Sequence, residues 1–204
     1  MLELLGLLMY LNQAQVRLIL FVLLAIFIIF WVASRLYEIL TSRAKEISKI
    51  PRLSAASFFV LVAIAILMLA FLPPSVLTAR VLPLSGMLSL IGILIAVCGI
   101  LFAIWARIHL GSNWAGMPML KKGQTLITTG PYSIVRHPIY TGITVWVLGS
   151  WIALGDFYGT TLLILTVIFC WSRIRTEEKL MLDNFGKEYA NYKKRVKAFI
   201  PFIY

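Results

Sequence analysis

Residues 84–106 read LSGMLSLIGILIAVCGILFAIWA, twenty-three residues without one charge. A helix rises about 1.5 Å per residue, so this stretch crosses a hydrocarbon core of roughly 30 Å. The rest of the chain resembles it. Of 204 residues, 61% are hydrophobic and only 13% charged, with a mean hydropathy of +0.92. Soluble domains are roughly 45–50% apolar and about 25% charged. The composition excludes an aqueous globular domain, a disordered chain, a collagen and a coiled coil, and leaves a polytopic membrane protein.

Outward from that span, residues 18–33 (LILFVLLAIFIIFWVA) and 54–72 (SAASFFVLVAIAILMLAFL) are further candidates. Pro73 and Pro74 end the second, because neither can continue a helical hydrogen-bond ladder. Residues 139–154 and 157–171 are shorter, and Gly155-Asp156 between them predicts a tight turn in a helical hairpin. Residues 2–11 are too short to span. They predict an interfacial segment or an extension of the first helix, and they lack the positive start of a signal peptide. The expected fold class is all-α: a polytopic membrane helix bundle of about five transmembrane helices, the last two a short hairpin, plus a cytosolic C-terminal helix. No stretch alternates with period two over strand length, which excludes a β-barrel. Cys98 and Cys170 sit in apolar runs and read as small fillers; no metal site is expected.

The net charge of +11 is unevenly placed. Seventeen of the nineteen Lys and Arg residues fall in 34–53, 107–138 and the tail from 173. Arg17 and Arg80, the other two, balance Glu3 and Asp156. The positive-inside rule puts all three basic segments on the cytoplasmic side, which five spans with an outside N-terminus satisfy. The polar chemistry concentrates in two of them. Residues 107–142 (RIHLGSNWAGMPMLKKGQTLITTGPYSIVRHPIYTG) form a loop long enough to be functional. Gly130-Pro131 predicts a turn, and His137-Pro138 a helix start with proline at the first helical position. Free backbone N–H groups there would make an anion site. The plainer alternative makes Arg136 and His137 interfacial anchors. Residues 172–204 continue the last span as a charged helix. Arg173 and Glu177 share a face four residues apart, Glu178 is turned away, and Phe185-Gly186 predicts the helix end. An ordinary helix salt bridge accounts equally for Arg173 and Glu177. Tyr189 and Tyr192 read as interfacial, and Lys193-Lys194-Arg195 as a headgroup patch.

GPYSIVRHPIYTG (130–142), RIRTEEKLMLDNFGKEYANYKKRV (173–196) and the IPFI ending together resemble the isoprenylcysteine carboxyl methyltransferase family. That family belongs to a wider group of integral membrane methyltransferases that includes phospholipid methyltransferases. The resemblance covers residues 107–204, so 1–106 is expected to hold N-terminal transmembrane helices and 107–204 the catalytic region. It implies an S-adenosyl-L-methionine-dependent methyltransferase without a Rossmann domain, releasing S-adenosyl-L-homocysteine. The chain has no GxGxxG motif, in keeping with that. By resemblance the cofactor would meet Gln124, Thr125, Leu126, Ile127, Tyr132, His137, Pro138, Ile139, Tyr140 and Glu177. Gln124 stands where the family commonly has histidine. Arg173 matches the family's substrate-carboxylate arginine, and Arg173 and Glu177 are the expected catalytic pair.

The implied reaction is carboxyl O-methylation of a C-terminal isoprenylcysteine or a similar lipophilic carboxylate entering from the bilayer. An α-carboxylate with a pKa of about 3.5 is ionised at neutral pH and needs no general base. Arg173 suits it as a bidentate partner. A phospholipid amine or small thiol is the alternative acceptor, and a non-enzymatic lipid-binding scaffold the alternative class. Membrane lipids are expected partners; nucleic acid is not.

Overall fold

The computed structural model describes residues 12–41, 46–49, 75, 79–83, 85–114, 119–121 and 123–200. Four long helices dominate them. Helix α1 is Gln13–Thr41, α2 Gly86–Leu110, α3 Pro138–Leu154 and α4 Phe157–Arg195. The expected span at 54–72, its stop at Pro73-Pro74 and the IPFI ending lie outside the described residues. The three helical stretches Gln13–Tyr37, Gly86–Asn113 and Phe157–Arg195 are long and apolar enough to cross a bilayer, and Pro138–Leu154 is a shorter apolar helix. Large apolar side chains such as Phe21, Ile29, Leu94, Leu101 and Ile168 face outward, more than half exposed. In water that surface would be untenable; in lipid it is the solvated face. The chain is an integral membrane protein.

Local chemistry sets the helix ends. Asn12 and Gln15 cap α1 reciprocally, each side-chain oxygen taking the other's backbone N–H at 2.9 Å. This starts the helix five residues ahead of the apolar run. Ser85 and Asp156 cap α2 and α4, and Pro138 opens α3. Gly155, with φ +64°, turns the chain between α3 and α4 as the hairpin reading expects. Gly186 breaks the α4 ladder with φ +48°. The helix then resumes to Arg195, so the end expected at Phe185-Gly186 is a kink.

Close backbone approach joins α2 to α3. Gly92 and Gly99 on α2 face Gly149 and Gly142 on α3. A Cβ added at Gly99 would lie 2.3 Å from the Trp146 backbone nitrogen, and one at Gly149 equally near that of Ala96. Small residues take these places because, between lipid-solvated helices, packing contact drives association. Val16 and Leu20 of α1 complete this core with Ile93, Ala96 and Ala153. The hairpin end is pinned where Arg17 meets buried Asp156 at 3.5 Å. Val81 and Phe157 add backbone bonds to Gly155 and Ala79.

One element departs from the helical expectation. Strand β1 (Glu46–Lys49) pairs antiparallel with β2 (Met119–Lys121), Glu46 opposite Lys121 and Lys49 opposite Met119. Strands of three or four residues are too short for period-two alternation to register in sequence. The ribbon ties the two basic segments together on the side of the bundle where the site forms.

Candidate active site

The site grows from the turn before α3. Gly130, at φ +58°, lets the chain pass against His109; a Cβ there would lie within 2.8 Å of its ring. His109 Nε2 and Thr129 Oγ1 are 3.0 Å apart and hold the entry to the turn. The turn then delivers Arg136 and His137, both buried, to the mouth of α3. Its amides are not a free anion site. Arg136 N–H donates to the Lys197 carbonyl at 2.8 Å, and His137 N–H to that of Ala198 at 3.0 Å. The C-terminal tail has taken the acceptor positions an anion would have used.

Nor is Arg136 an interfacial anchor. Its Nε donates to Glu178 Oε1 at 2.9 Å, and its terminal nitrogens reach the same carboxylate and the carbonyls of Lys193 and Val196. Lys193 Nζ meets the other Glu178 oxygen at 2.6 Å, so that lysine is ion-paired to α4. Thr141 Oγ1 donates to the Phe199 carbonyl at 2.7 Å. Tyr192, buried rather than interfacial, donates its hydroxyl to the Tyr132 carbonyl. Arg136, Thr141 and Tyr192 thus strap the tail across the turn.

Glu177, about 100° round α4 from Glu178, faces a different set of partners. Arg173 Nη2 donates to Glu177 Oε1 at 3.2 Å, and Arg173 Nε to the Tyr140 hydroxyl at 3.4 Å. The Tyr140 hydroxyl donates to Glu177. The i, i+4 pair is therefore part of a three-residue cluster spanning α3 and α4. Glu178 points away from it, as its position along the helix requires. His137 sits between the two carboxylates, with Nδ1 3.6 Å from Glu177 Oε2 and Nε2 3.7 Å from Glu178 Oε1. These are ion-pair distances just beyond hydrogen-bond reach. Burial pulls the imidazole's pKa down, but the two carboxylates outweigh it and raise it above the ordinary value. The two carboxylates thus favour the protonated imidazole. The Tyr132 hydroxyl, buried and near the Glu177 charge, is pushed well above its usual range.

A cavity of about 310 Å³ opens over this cluster. Gln124, Thr125, Leu126, Ile127, Tyr132, His137, Pro138, Ile139, Tyr140, Arg173 and Glu177 all line it. The segment carrying Gln124 and Thr125 is fastened to the end of α2. Thr125 N–H donates to Asn113 Oδ1 at 3.0 Å, Asn113 Nδ2 to Thr125 Oγ1 at 3.2 Å, and Gln124 Nε2 to the Asn113 carbonyl at 3.5 Å.

Other walls were not anticipated. Phe27 and Trp31 of α1 line the cavity, as do Trp114, Tyr189 and Tyr192. Residues 107–204 therefore do not contain the whole wall. Phe27 and Trp31 lie in an unbroken apolar run, where nothing marks a cavity-facing aromatic apart from a lipid-facing one. Trp31 packs edge-on to Trp114 at 6.0 Å, and the Arg107 guanidinium lies 4.0 Å above the Trp114 ring. Among the described residues no group of three His, Cys, Asp or Glu side chains is placed to hold a metal.

Residues 88–188 match the phospholipid methyltransferase family. The chain is 42% identical over 101 residues to the protein-S-isoprenylcysteine O-methyltransferase of Schizosaccharomyces pombe, covering 48% of this chain and 43% of that one. It is 36% identical over 119 residues to the enzyme of that name from Mus musculus, covering 57% and 42%. It also resembles a solved structure described as the eukaryotic intramembrane Ras methyltransferase ICMT (isoprenylcysteine carboxyl methyltransferase). That match has a TM-score of 0.54 and 28% identity over 74% of this chain and 52% of the other. The chain spans less than half the length of these curated relatives and about half that of the solved one. Residues 88–188, which hold nearly all of α2, all of α3 and the turn and carboxylates of the site, form a domain of the phospholipid methyltransferase family.

Proposed function

We propose that this chain is an S-adenosylmethionine-dependent methyltransferase that esterifies a lipophilic carboxylate, with the α-carboxylate of an isoprenylcysteine as the best-fitting acceptor. The observation that carries the reading is the Arg173–Glu177–Tyr140 cluster within the cavity.

The donor set suits the cofactor. Its amino group calls for a carboxylate, and Glu177 lines the cavity. His137 lines the cavity, its ring nitrogens 3.6 and 3.7 Å from Glu177 and Glu178. Tyr132, Tyr140 and Tyr189 offer aromatic faces to a cation. Gln124 to Ile127 and His137 to Tyr140 supply the remaining contacts in this proposal, with residues 107–204 as the catalytic region and Phe27 and Trp31 adding the α1 wall.

S-adenosylmethionine held by these residues would supply an electrophilic methyl on its sulfonium, with a methyl ester and S-adenosylhomocysteine as the products. Arg173 receives the acceptor carboxylate and aims one oxygen. Glu177 and Tyr140 hold the guanidinium in place and temper its charge, so the nucleophile is oriented without being over-stabilised. The helices and strapped tail exclude water from a step that joins opposite charges.

An amine or thiol acceptor, which the name of the matched family raises, would need a base. His137 lies between two carboxylates that favour its protonated form, and Glu177 is engaged by Arg173 and Tyr140. Neither is a free base, and this favours the carboxylate. The acceptor's chain would enter laterally from the bilayer. The cavity lies on the side of the basic segments, which the positive-inside rule places in the cytoplasm. Equilibrium dialysis of detergent-solubilised protein against labelled S-adenosylmethionine is expected to give saturable one-site binding. No saturable binding would leave only the non-enzymatic scaffold.

A further inference from the structure

On the outer face of α4, turned away from the cavity, lies a second concavity of about 300 Å³ lined by Ile174, Arg175, Glu178, Lys179, Leu182 and Lys193. We propose that it is a binding site for the headgroup of an anionic phospholipid.

The charges on it are not balanced within it. Glu178 is its one acid, and Glu178 already pairs with buried Arg136 as well as Lys193. One carboxylate therefore serves two cations, while Arg175 and Lys179 stand exposed one helical turn apart on the same face. Lys193 is pinned at 2.6 Å from Glu178 Oε2, which fixes a third positive group across the concavity from the first two. Three cations on one concavity, against a single acid that also pairs with Arg136, select an anion.

Its height selects a lipid. The Arg175 guanidinium lies 4.8 Å above the ring of Trp171. Trp171 closes the apolar part of α4, where an amphipathic ring belongs at the membrane–water boundary. This cation–π contact holds the guanidinium at that level, with its N–H groups available to phosphate oxygens. Directly below, Ile164, Val167 and Ile168 are exposed and form an apolar ridge for acyl chains. Ile174, between Trp171 and Arg175 along the helix, adds apolar lining at the level of the glycerol. Anionic headgroup, glycerol and chains thus meet matching surfaces in that order. A free phosphate would use only the first of them. The assignment does not rest on the identity of the methyl acceptor.

The test is native mass spectrometry of the full chain released from nanodiscs of equal parts phosphatidylglycerol and phosphatidylcholine. The wild-type protein is expected to retain one phosphatidylglycerol in preference to phosphatidylcholine. The variant R175Q/K179Q should lose that preference about tenfold, with R175Q alone losing part of it. The variant K194Q/K197Q, which removes equal charge outside the concavity, should keep it. Unchanged retention in R175Q/K179Q, or in R175Q alone should the double variant not fold, would overturn the site. Equal loss in K194Q/K197Q would also overturn it, since diffuse charge would then suffice. Displacement of the lipid by millimolar inorganic phosphate would overturn the lipid assignment.

Discussion

Arg173→Ala is expected to reduce methyl transfer to a prenylcysteine substrate by about 10²–10³-fold, the scale for removing one preorganised charged donor from an active site. Cofactor affinity should change little. Arg173 meets Tyr140 and Glu177 from α4, and its loss leaves the turn carrying His137 and the segment at 124–127 in place. Arg173→Lys restores the charge without the planar fork and should recover only part of the activity. Glu177→Ala should show the opposite pattern, with cofactor binding weakened first. Stopped dialysis and steady-state kinetics on the three variants check this together. Full activity in Arg173→Ala would remove the arginine from the mechanism.

The second large effect is on stability. Arg136→Ala is expected to cost about 3–5 kcal/mol, the range for stripping one partner from a buried ion pair. The loss is broad because one guanidinium serves several acceptors: Glu178 and the carbonyls of Lys193 and Val196. Glu178 would be left facing only Lys193 and His137. The tail should detach from the turn, so protease cleavage after residue 190 should speed up well before the helices unfold. Chemical denaturation in detergent and limited proteolysis measure both effects. A variant with wild-type stability and an intact tail would mean the strap holds without Arg136.

Much of this structure is legible in the chain because hydrophobic length and breaker residues act locally. The α3 start at Pro138, the turn at Gly155 and the uncharged α2 all follow from such signals. The kink at Gly186 is half legible: glycine marks the interruption, but the packing of Tyr189 and Tyr192 beneath the strap is what returns the chain to helix. The cavity-lining set followed from the family resemblance, and the fold gathers it from the segment and turn before α3, from α3 and from α4. What was not legible depends on tertiary partners. Arg136 looked like an anchor because its acceptors, Glu178 and the tail carbonyls, lie 42 or more residues away. The ion pair of Lys193 with Glu178 is hidden in the sequence for the same reason. The apolar run of α1 gives no hint that Phe27 and Trp31 turn inward, since lipid and cavity ask for the same side chains.

The most direct measurement is transfer of a labelled methyl group from S-adenosylmethionine by the full chain in nanodiscs. N-acetyl-farnesylcysteine, phosphatidylethanolamine and a small thiol would be offered in parallel, and the product tested for base lability. The predicted result is saturable labelling of the farnesylcysteine alone, released by mild base as expected of a methyl ester. Base-stable labelling of the amine or the thiol, with none on the carboxylate, would contradict it.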